Sequence, residues 1–219
     1  MGCSFIIRWV VMMVKKPMLK ELDGVKKVVK NSDGRYYDLE INELNLDKLM
    51  ENGLEFNGCV LKNIDFQGIK LERCSMIDCI FERCNFSNSE ISSSLFRRVV
   101  FDHCSLTGVD FSSSIIQDAK FSFSKADYAN FSASKLKDCC FEECRLKESS
   151  FNDTQFKSVD LKNCDFNGAE FLHASIQGID FSRCSIEGIG LSANDLKGVI
   201  VNEMQAIALA RILGIIIKE

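Results

Sequence analysis

The dominant pattern along this chain is an apolar residue at every fifth position. From Phe56 to Val201 the step never slips, and half of these central positions are phenylalanine. Two residues before each centre stands a smaller side chain, usually Cys, Ser, Ala, Thr, Val or Ile, with Leu54 and Asn194 as exceptions. An α-helix needs a period of 3.6 and an alternating strand a period of two. The pattern therefore predicts a short structural unit repeated many times.

Each five-residue unit is expected to combine a short strand with a corner. Residues two apart in extended backbone point to the same side, so the small and the large column both face inward. The other three positions carry most of the charged residues, Asn, Ser and Gly, which suit turns and solvent. Because a strand piece of about three residues is only ~10 Å wide, we expect a solid core without a ligand cavity.

Individual repeats resemble those of the pentapeptide-repeat family, whose consensus is A(D/N)Lxx with Leu or Phe at the centre. Residues 164–168 (CDFNG), 169–171 (AEF) and 129–131 (ANF) fit this consensus closely. The resemblance implies an all-β fold, a right-handed quadrilateral β-helix with four repeats in each coil. It divides the chain into an N-terminal segment or cap (1–53), the pentapeptide-repeat solenoid (54–201) and a C-terminal helix and tail (202–219).

Four repeats per coil would place residues twenty apart on top of one another, about 4.8 Å apart. The resemblance thus implies two core ladders of phenylalanine rings on opposite faces. One ladder comprises Phe81, Phe101, Phe121 and Phe141, and the other comprises Phe111, Phe131, Phe151 and Phe171.

Nine of the 11 cysteines occupy the small inward column, and Cys3 and Cys140 do not. One interpretation is a ladder of metal-bound thiolates, and the other is plain packing, because a free Cys behaves as a small hydrophobic residue. No C-x-x-C pair with zinc spacing is present. We therefore predict packing, with no metal and no cofactor.

The N-terminal sequence argues against membrane attachment. Arg8 interrupts its apolar run, which is shorter than the ~20 residues of a spanning helix. The start Met1-Gly2-Cys3 lacks the Ser or Thr at position 6 that myristoylation favours, since Ile6 stands there. Because 11 cysteines without a secretion signal indicate a reducing compartment, we predict a cytoplasmic protein that binds no membrane.

The residues after 201 leave the five-residue rule and predict a helix that ends at Gly214. Its apolar side chains cover much of its circumference, and the tail at 215–217 is too apolar to remain in water, so we infer self-association through this end. The predicted dimer interface comprises Met204, Ile207, Ala208, Leu209, Ile212, Leu213 and Ile215.

A narrower resemblance lies at the same end. The motif DLxGV at 195–199, followed by QA at 205–206 and LGI at 213–215, is similar to the C-terminus of the Qnr quinolone-resistance proteins. This resemblance implies a bacterial homodimer that binds DNA gyrase or topoisomerase IV, is a DNA mimic and confers quinolone resistance. Members known from Gram-negative bacteria also carry projecting loops that contribute to protection, whereas nothing interrupts the repeats here between Phe56 and Val201.

Charge limits the comparison with DNA. The net charge of −4 disfavours direct binding of nucleic acid. Two rods laid end to end would extend ~72 Å, over which duplex DNA carries about 42 negative charges, whereas the repeats of each chain hold 21 acidic and 16 basic residues. The acidic excess falls on two adjacent faces, where the candidate partner residues are Glu90, Asp110, Asp153 and Glu170.

The alternative function is a structural scaffold for protein–protein interactions with another partner. Outward apolar residues favour it: Val60, Ile80 and Val100 form a column, with Leu95, Ile115 and Phe123 nearby. This group is either a partner site or a surface covered by the N-terminal segment. Catalysis has no support, because His103 and His173 would lie on opposite faces and no phosphate-binding or metalloprotease motif occurs. We predict that the protein is not an enzyme and has no catalytic residues.

Overall fold

The computed structural model describes residues 14–19, 34–42 and 53–218. Two pairs of short strands precede five strands of eight residues, and a short helix follows. The strands are β1 (Arg35–Tyr37), β2 (Glu40–Ile41), β3 (Glu55–Asn57), β4 (Val60–Lys62), β5 (Ser75–Glu82), β6 (Leu95–Asp102), β7 (Ile115–Ser122), β8 (Lys135–Glu142) and β9 (Gln155–Lys162). Helix α1 (Glu203–Ala210) continues into a 3-10 turn at Arg211–Leu213.

All of these strands pair in parallel with a register of twenty residues. Phe56 lies beside Met76, and Phe81 lies beside Phe101. Isolated parallel bridges with the same register continue the ladder between the strands, as far as Asp180 and Ile200. Four five-residue segments therefore complete each turn. The predicted all-β pentapeptide solenoid is confirmed.

The coil begins upstream of residue 54. Strands β1 and β2 pair with β3 and β4 in the same register, so Tyr36 and Ile41 take the places that Phe56 and Leu61 take one turn later. Both side chains are buried in the core. Most of the N-terminal cap predicted within residues 1–53 lies outside the described residues.

The four sides of the coil are numbered here by their central residues. Side 1 is centred on Phe81, Phe101 and Phe121, side 2 on Phe86, Leu106 and Ala126, side 3 on Phe111, Phe131 and Phe151, and side 4 on Phe96, Ile116 and Leu136. The strands β5 to β9 run across side 4 and onto side 1.

At most corners, the residue two positions after the centre has left-handed backbone. Asp78, Arg98 and Asp118, at φ +55°, +54° and +52°, turn the chain from side 4 to side 1. Glycine fills this position in several repeats, because it reaches positive φ without steric cost. The recurring turn at the same position of each unit is consistent with the unbroken step of five in this chain.

Phenylalanine rings fill the core. On side 1, the rings of Phe81, Phe101, Phe121 and Phe141 stack with centroid separations of 4.9, 5.0 and 4.7 Å. On side 3, the rings of Phe111, Phe131, Phe151 and Phe171 stack at 5.0, 4.8 and 4.8 Å. The two ladders meet edge to face, as Phe121 and Phe131 do at 6.1 Å and 90°. Both arrangements are favourable for aromatic pairs.

Candidate protein-binding surfaces

Three of the four predicted acidic residues stand in one column of side 3. Parallel bridges connect Glu90 to Asp110, and Asn130 and Ser150 continue the column to Glu170. Asp153 lies at the adjoining corner, where its side chain is two-thirds exposed and contacts His173 at 3.5 Å. The register of twenty therefore brings all four residues to one side of the rod.

Neighbouring polar groups contact these carboxylates. Asp110 Oδ1 accepts hydrogen bonds from the backbone N–H of Ser112 (2.9 Å) and from Asn130 Nδ2 (3.0 Å). Glu170 accepts from Asn152 Nδ2 at 2.8 Å. Lys70, one turn before Glu90, forms an ion pair with it at 2.8 Å and marks the end of the column.

Beyond Lys70, which pairs with Glu90, side 3 carries further acidic residues and no Lys or Arg of its own as far as residue 173. We define the acidic surface as residues 88–93, 108–113, 128–133, 148–153 and 168–173, which cover this side and its two corners over five turns. These segments contain Glu90, Asp110, Glu148, Asp153 and Glu170, and no Lys or Arg. Their other outward residues are mainly Ser and Asn. At ~4.8 Å per turn, the acidic surface is about 19 Å long.

Side 1 presents a different surface. One column of outward-pointing residues on side 1 is mostly apolar. From one turn to the next it contains Val60, Ile80, Val100, Lys120 and Cys140, and Lys120 is the one charged residue in this run. Residues 14–19, here called the strap, lie over this column, and Val14 and Pro17 line a cavity of about 480 Å³ together with Ile80, Val100 and Cys140. The N-terminal segment therefore covers part of the outward apolar group. Of the two alternatives given by the sequence, a partner site or a covered surface, this contact supports the covered surface.

The strap is hydrogen-bonded to a buried ion pair that the repeat pattern does not predict. The backbone N–H of Met18 donates to Asp78 Oδ1 at 2.9 Å, and Arg98 contacts both carboxylate oxygens of Asp78 at 2.6 Å. Burial opposes ionisation of Asp78, but the hydrogen bonds from Arg98 and Met18 hold its pKa below the usual value. Asp78 and Arg98 are ordinary corner residues in sequence, so only the contact with residue 18 distinguishes them.

The C-terminal helix exposes most of its apolar side chains. Asn202 caps it by accepting from the N–H of Gln205, and Gln205 Nε2 donates to the carbonyls of Phe181 and Cys184 in the last turn of the coil. Of the predicted interface residues, Leu209 alone is buried. Those with exposed side chains are Met204, Ile207, Ala208, Ile212, Leu213 and Ile215, and Gly214 ends the helical segment at φ +73°.

Comparison with known families agrees with this repeat architecture. The family described as "Pentapeptide repeat region" matches residues 94–162 and 134–208, and "Pentapeptide repeats (8 copies)" matches residues 55–92. The chain belongs to the pentapeptide-repeat family.

Several solved structures are similar to this pentapeptide-repeat protein. A trypsin-treated form of QnrB1, a plasmid-mediated fluoroquinolone resistance protein, is 22% identical, covers 84% of this chain and 99% of its own, and has a TM-score of 0.37. HetL, involved in heterocyst differentiation regulation in the cyanobacterium Nostoc sp. strain PCC 7120, is 14% identical over 76% and 86% of the chains, with a TM-score of 0.42. No curated protein sequence matches the chain.

The described cysteines of this pentapeptide-repeat protein pack as buried side chains. All ten that the structure describes are free and buried. Burial raises the pKa of Cys74 to about 11 and that of Cys139 to about 12, so both remain thiols at neutral pH. Cys139 Sγ donates to the carbonyl of Lys137 at 3.4 Å. Within the described ranges, no group of three His, Cys, Asp or Glu side chains is arranged to hold a metal ion.

The two histidines lie apart in the solenoid. His103 follows side 1, where Nδ1 lies 3.0 Å from Asp102 and the ring stacks on the exposed Phe123 at 5.0 Å. His173 follows side 3 and contacts Asp153. The two histidines therefore stand at corners that follow opposite sides of the coil.

Across residues 14–19, 34–42 and 53–218, no helix has the length and apolar character needed to cross a bilayer.

Proposed function

We propose that this protein is a non-catalytic rod that binds a type II topoisomerase, DNA gyrase or topoisomerase IV, through its acidic surface. The observation that carries the proposal is five turns of side 3 with five carboxylates and no Lys or Arg. A protein surface that binds DNA is cationic, because it neutralises phosphates. The acidic surface is complementary to such a surface, which favours both encounter and specificity.

The C-terminal sequence supports the choice of partner. The DLxGV motif and the residues that follow it resemble the Qnr proteins, whose family binds topoisomerases. The exposed apolar side chains of α1 also support a homodimer, since joining two copies there would remove them from water. Two rods joined at this end would carry two copies of the acidic surface. We place the protein in the bacterial cytoplasm, where that partner acts.

The charge density indicates partial mimicry of DNA. Over ~19 Å, duplex DNA carries about 11 phosphate charges, whereas the acidic surface carries five carboxylates. We therefore expect binding that weakens steeply with salt and competes with DNA without excluding it. Such a protein would modulate the enzyme and protect it from quinolones rather than abolish its activity.

Binding to purified gyrase tests the proposal. One variant combines Glu90→Gln, Asp110→Asn, Asp153→Asn and Glu170→Gln. A control with the same change in net charge combines Asp65→Asn, Glu143→Gln, Asp180→Asn and Glu187→Gln, all away from side 3. We expect the first variant to lose at least tenfold in affinity and the control to keep wild-type affinity. Equal losses in both would refute a role for the acidic surface.

The second candidate, an interaction scaffold with another partner, is favoured by the apolar column on side 1. Capture experiments with the intact chain distinguish the two candidates. Recovery of topoisomerase subunits, lost in the side 3 variant, supports the first. Recovery of other proteins through side 1, with no topoisomerase, supports the scaffold.

A further inference from the structure

We infer that side 1 contains a docking groove for an extended peptide rich in apolar and basic residues, and that the strap is its intramolecular occupant. This inference is independent of the topoisomerase proposal, because it concerns a different side of the rod.

The floor of the groove is a mostly apolar column, although outward columns of the coil are expected to be polar. Its members are Ile80, Val100, Lys120 and Cys140, and Val60 extends it by one turn. Val60 and Cys140 are 7% and 5% exposed, although both stand at outward positions. Lys120 is turned to the edge, where its Nζ contacts Glu142 Oε2 at 2.6 Å. A column of this kind needs a cover.

Carboxylates flank the floor on both edges. Two positions before the floor residues stand Asp78, Arg98, Asp118 and Asp138, and two positions after them stand Glu82, Asp102, Ser122 and Glu142. Six acidic side chains therefore border the groove, against Arg98 at its edge and Lys120 on its floor. Arg98 pairs with Asp78, and Lys120 pairs with Glu142. Outside the floor, Arg83 pairs with Glu82, Lys137 lies 3.8 Å from Asp138, and Lys162 lines the cavity. Among the described residues, Asp102 and Asp118 are therefore the bordering carboxylates without a Lys or Arg ion pair, and they favour an occupant with basic side chains.

The strap has the complementary chemistry. Its sequence, VKKPML, places two lysines between Val14 and Pro17. Lys15 and Lys16 are exposed, whereas Val14 and Pro17 are half-buried beside the apolar floor. Four extended residues span about 14 Å, which equals the three turns between Cys140 and Ile80 at ~4.8 Å each. A strap of this length matches the span of the floor if it runs along the rod axis in extended form.

Two observations indicate that the strap can be exchanged. Among the described residues, its one hydrogen bond to the rod runs from the Met18 N–H to Asp78. A cavity of about 480 Å³ also remains between the strap and side 1, within the usual size range of ligand sites. An occupant that fills this space would gain contacts that the strap does not make.

The Cys140 thiol reports whether the groove is covered. It lines the same cavity as Val14, and the nine other described cysteines belong to the inward column. Burial raises the pKa of Cys140, which further slows its reaction with a thiol reagent while the strap is in place.

The test uses the full chain with Val14→Asp and Pro17→Asp, which leave the coil untouched, and Cys140→Ser to assign the thiol signal. We expect the double variant to react at Cys140 at least tenfold faster than wild type at pH 8. A fluorescent peptide with the sequence of residues 13–20 (MVKKPMLK) should bind the double variant at least tenfold more tightly than wild type, slow its labelling again and dissociate in 0.5 M salt.

A control peptide with both lysines replaced by glutamate should not bind. Unchanged reactivity of Cys140 in the double variant would overturn the inference, because the strap would not be the cover. Faster labelling without peptide binding would equally overturn it, since the groove would then accept no extended peptide in trans. Equal binding of both peptides would contradict the charge argument.

Discussion

Two phenylalanines two residues apart should lose very different amounts of stability on truncation. Phe121 is 1% exposed, stacks on Phe101 and Phe141 at 5.0 and 4.7 Å, and meets Phe111 and Phe131 edge to face. Phe123 is 51% exposed at a left-handed corner. The coil therefore assigns one ring to the core ladder and the other to solvent.

The expected magnitudes differ severalfold. Phe121→Ala removes a fully buried ring from a close-packed ladder, and such a change lowers the free energy of unfolding by about 3–5 kcal/mol. Phe123→Ala loses mainly the contact with His103, worth about 0.5–1 kcal/mol. Alanine tolerates this corner conformation, since Ala133 adopts φ +57° at another corner of the coil.

Urea unfolding followed by far-ultraviolet circular dichroism measures both changes. The midpoint of Phe121→Ala should fall well below that of wild type, and that of Phe123→Ala should stay close to it, with the slope unchanged in both. Equal destabilisation by the two variants would show that the inward and outward positions are wrongly assigned. A loss below about 1 kcal/mol for Phe121→Ala would contradict the stacked ladder.

Three further predictions follow from the other contacts. Ile207→Asp with Leu213→Asp should give a monomer by analytical ultracentrifugation, and an unchanged dimer would place the interface elsewhere. Because the pKa of Asp78 is lowered in the folded chain, its contribution to stability should be complete above about pH 5 and be lost as the pH falls through ~4 towards the folded pKa. Asp78→Asn should therefore be less stable than wild type at pH 7, and a difference that does not shrink at pH 3 would argue against the ion pair. The inward thiols, including Cys74 and Cys139 with their raised pKa values, should react with Ellman's reagent at pH 8 only on unfolding, whereas labelling of the native chain at all of them would mean that the coil opens.

The core was predictable because its pattern is local and strictly periodic. The step of five identifies Phe81 and Phe101 as inward residues without any knowledge of the coil. Their stacking requires in addition the number of repeats per turn, which came from the family resemblance and not from the period. Upstream, Glu51 interrupts the apolar step, so the sequence predicts that the repeats begin at residue 54. In the structure, Tyr36 and Ile41 already belong to the coil.

The surfaces were predictable only in part. Glu90, Asp110 and Glu170 share a column because the register of twenty applies to outward residues as well as to the core. The strap follows no repeat, and its contact with Asp78 joins residues sixty positions apart. No periodicity encodes such a contact, so the sequence left open whether a partner or the N-terminal segment covers the apolar column.

Supercoiling by purified DNA gyrase measures whether the acidic surface acts on the enzyme. Wild-type protein, the side 3 variant and the control variant would each be titrated with and without a fluoroquinolone. Wild type and control should restore supercoiling in the presence of the drug and slow it at high concentration without the drug, whereas the side 3 variant should do neither. If a large excess of the wild-type protein has no effect, with or without drug, the protein does not act on gyrase through its acidic surface.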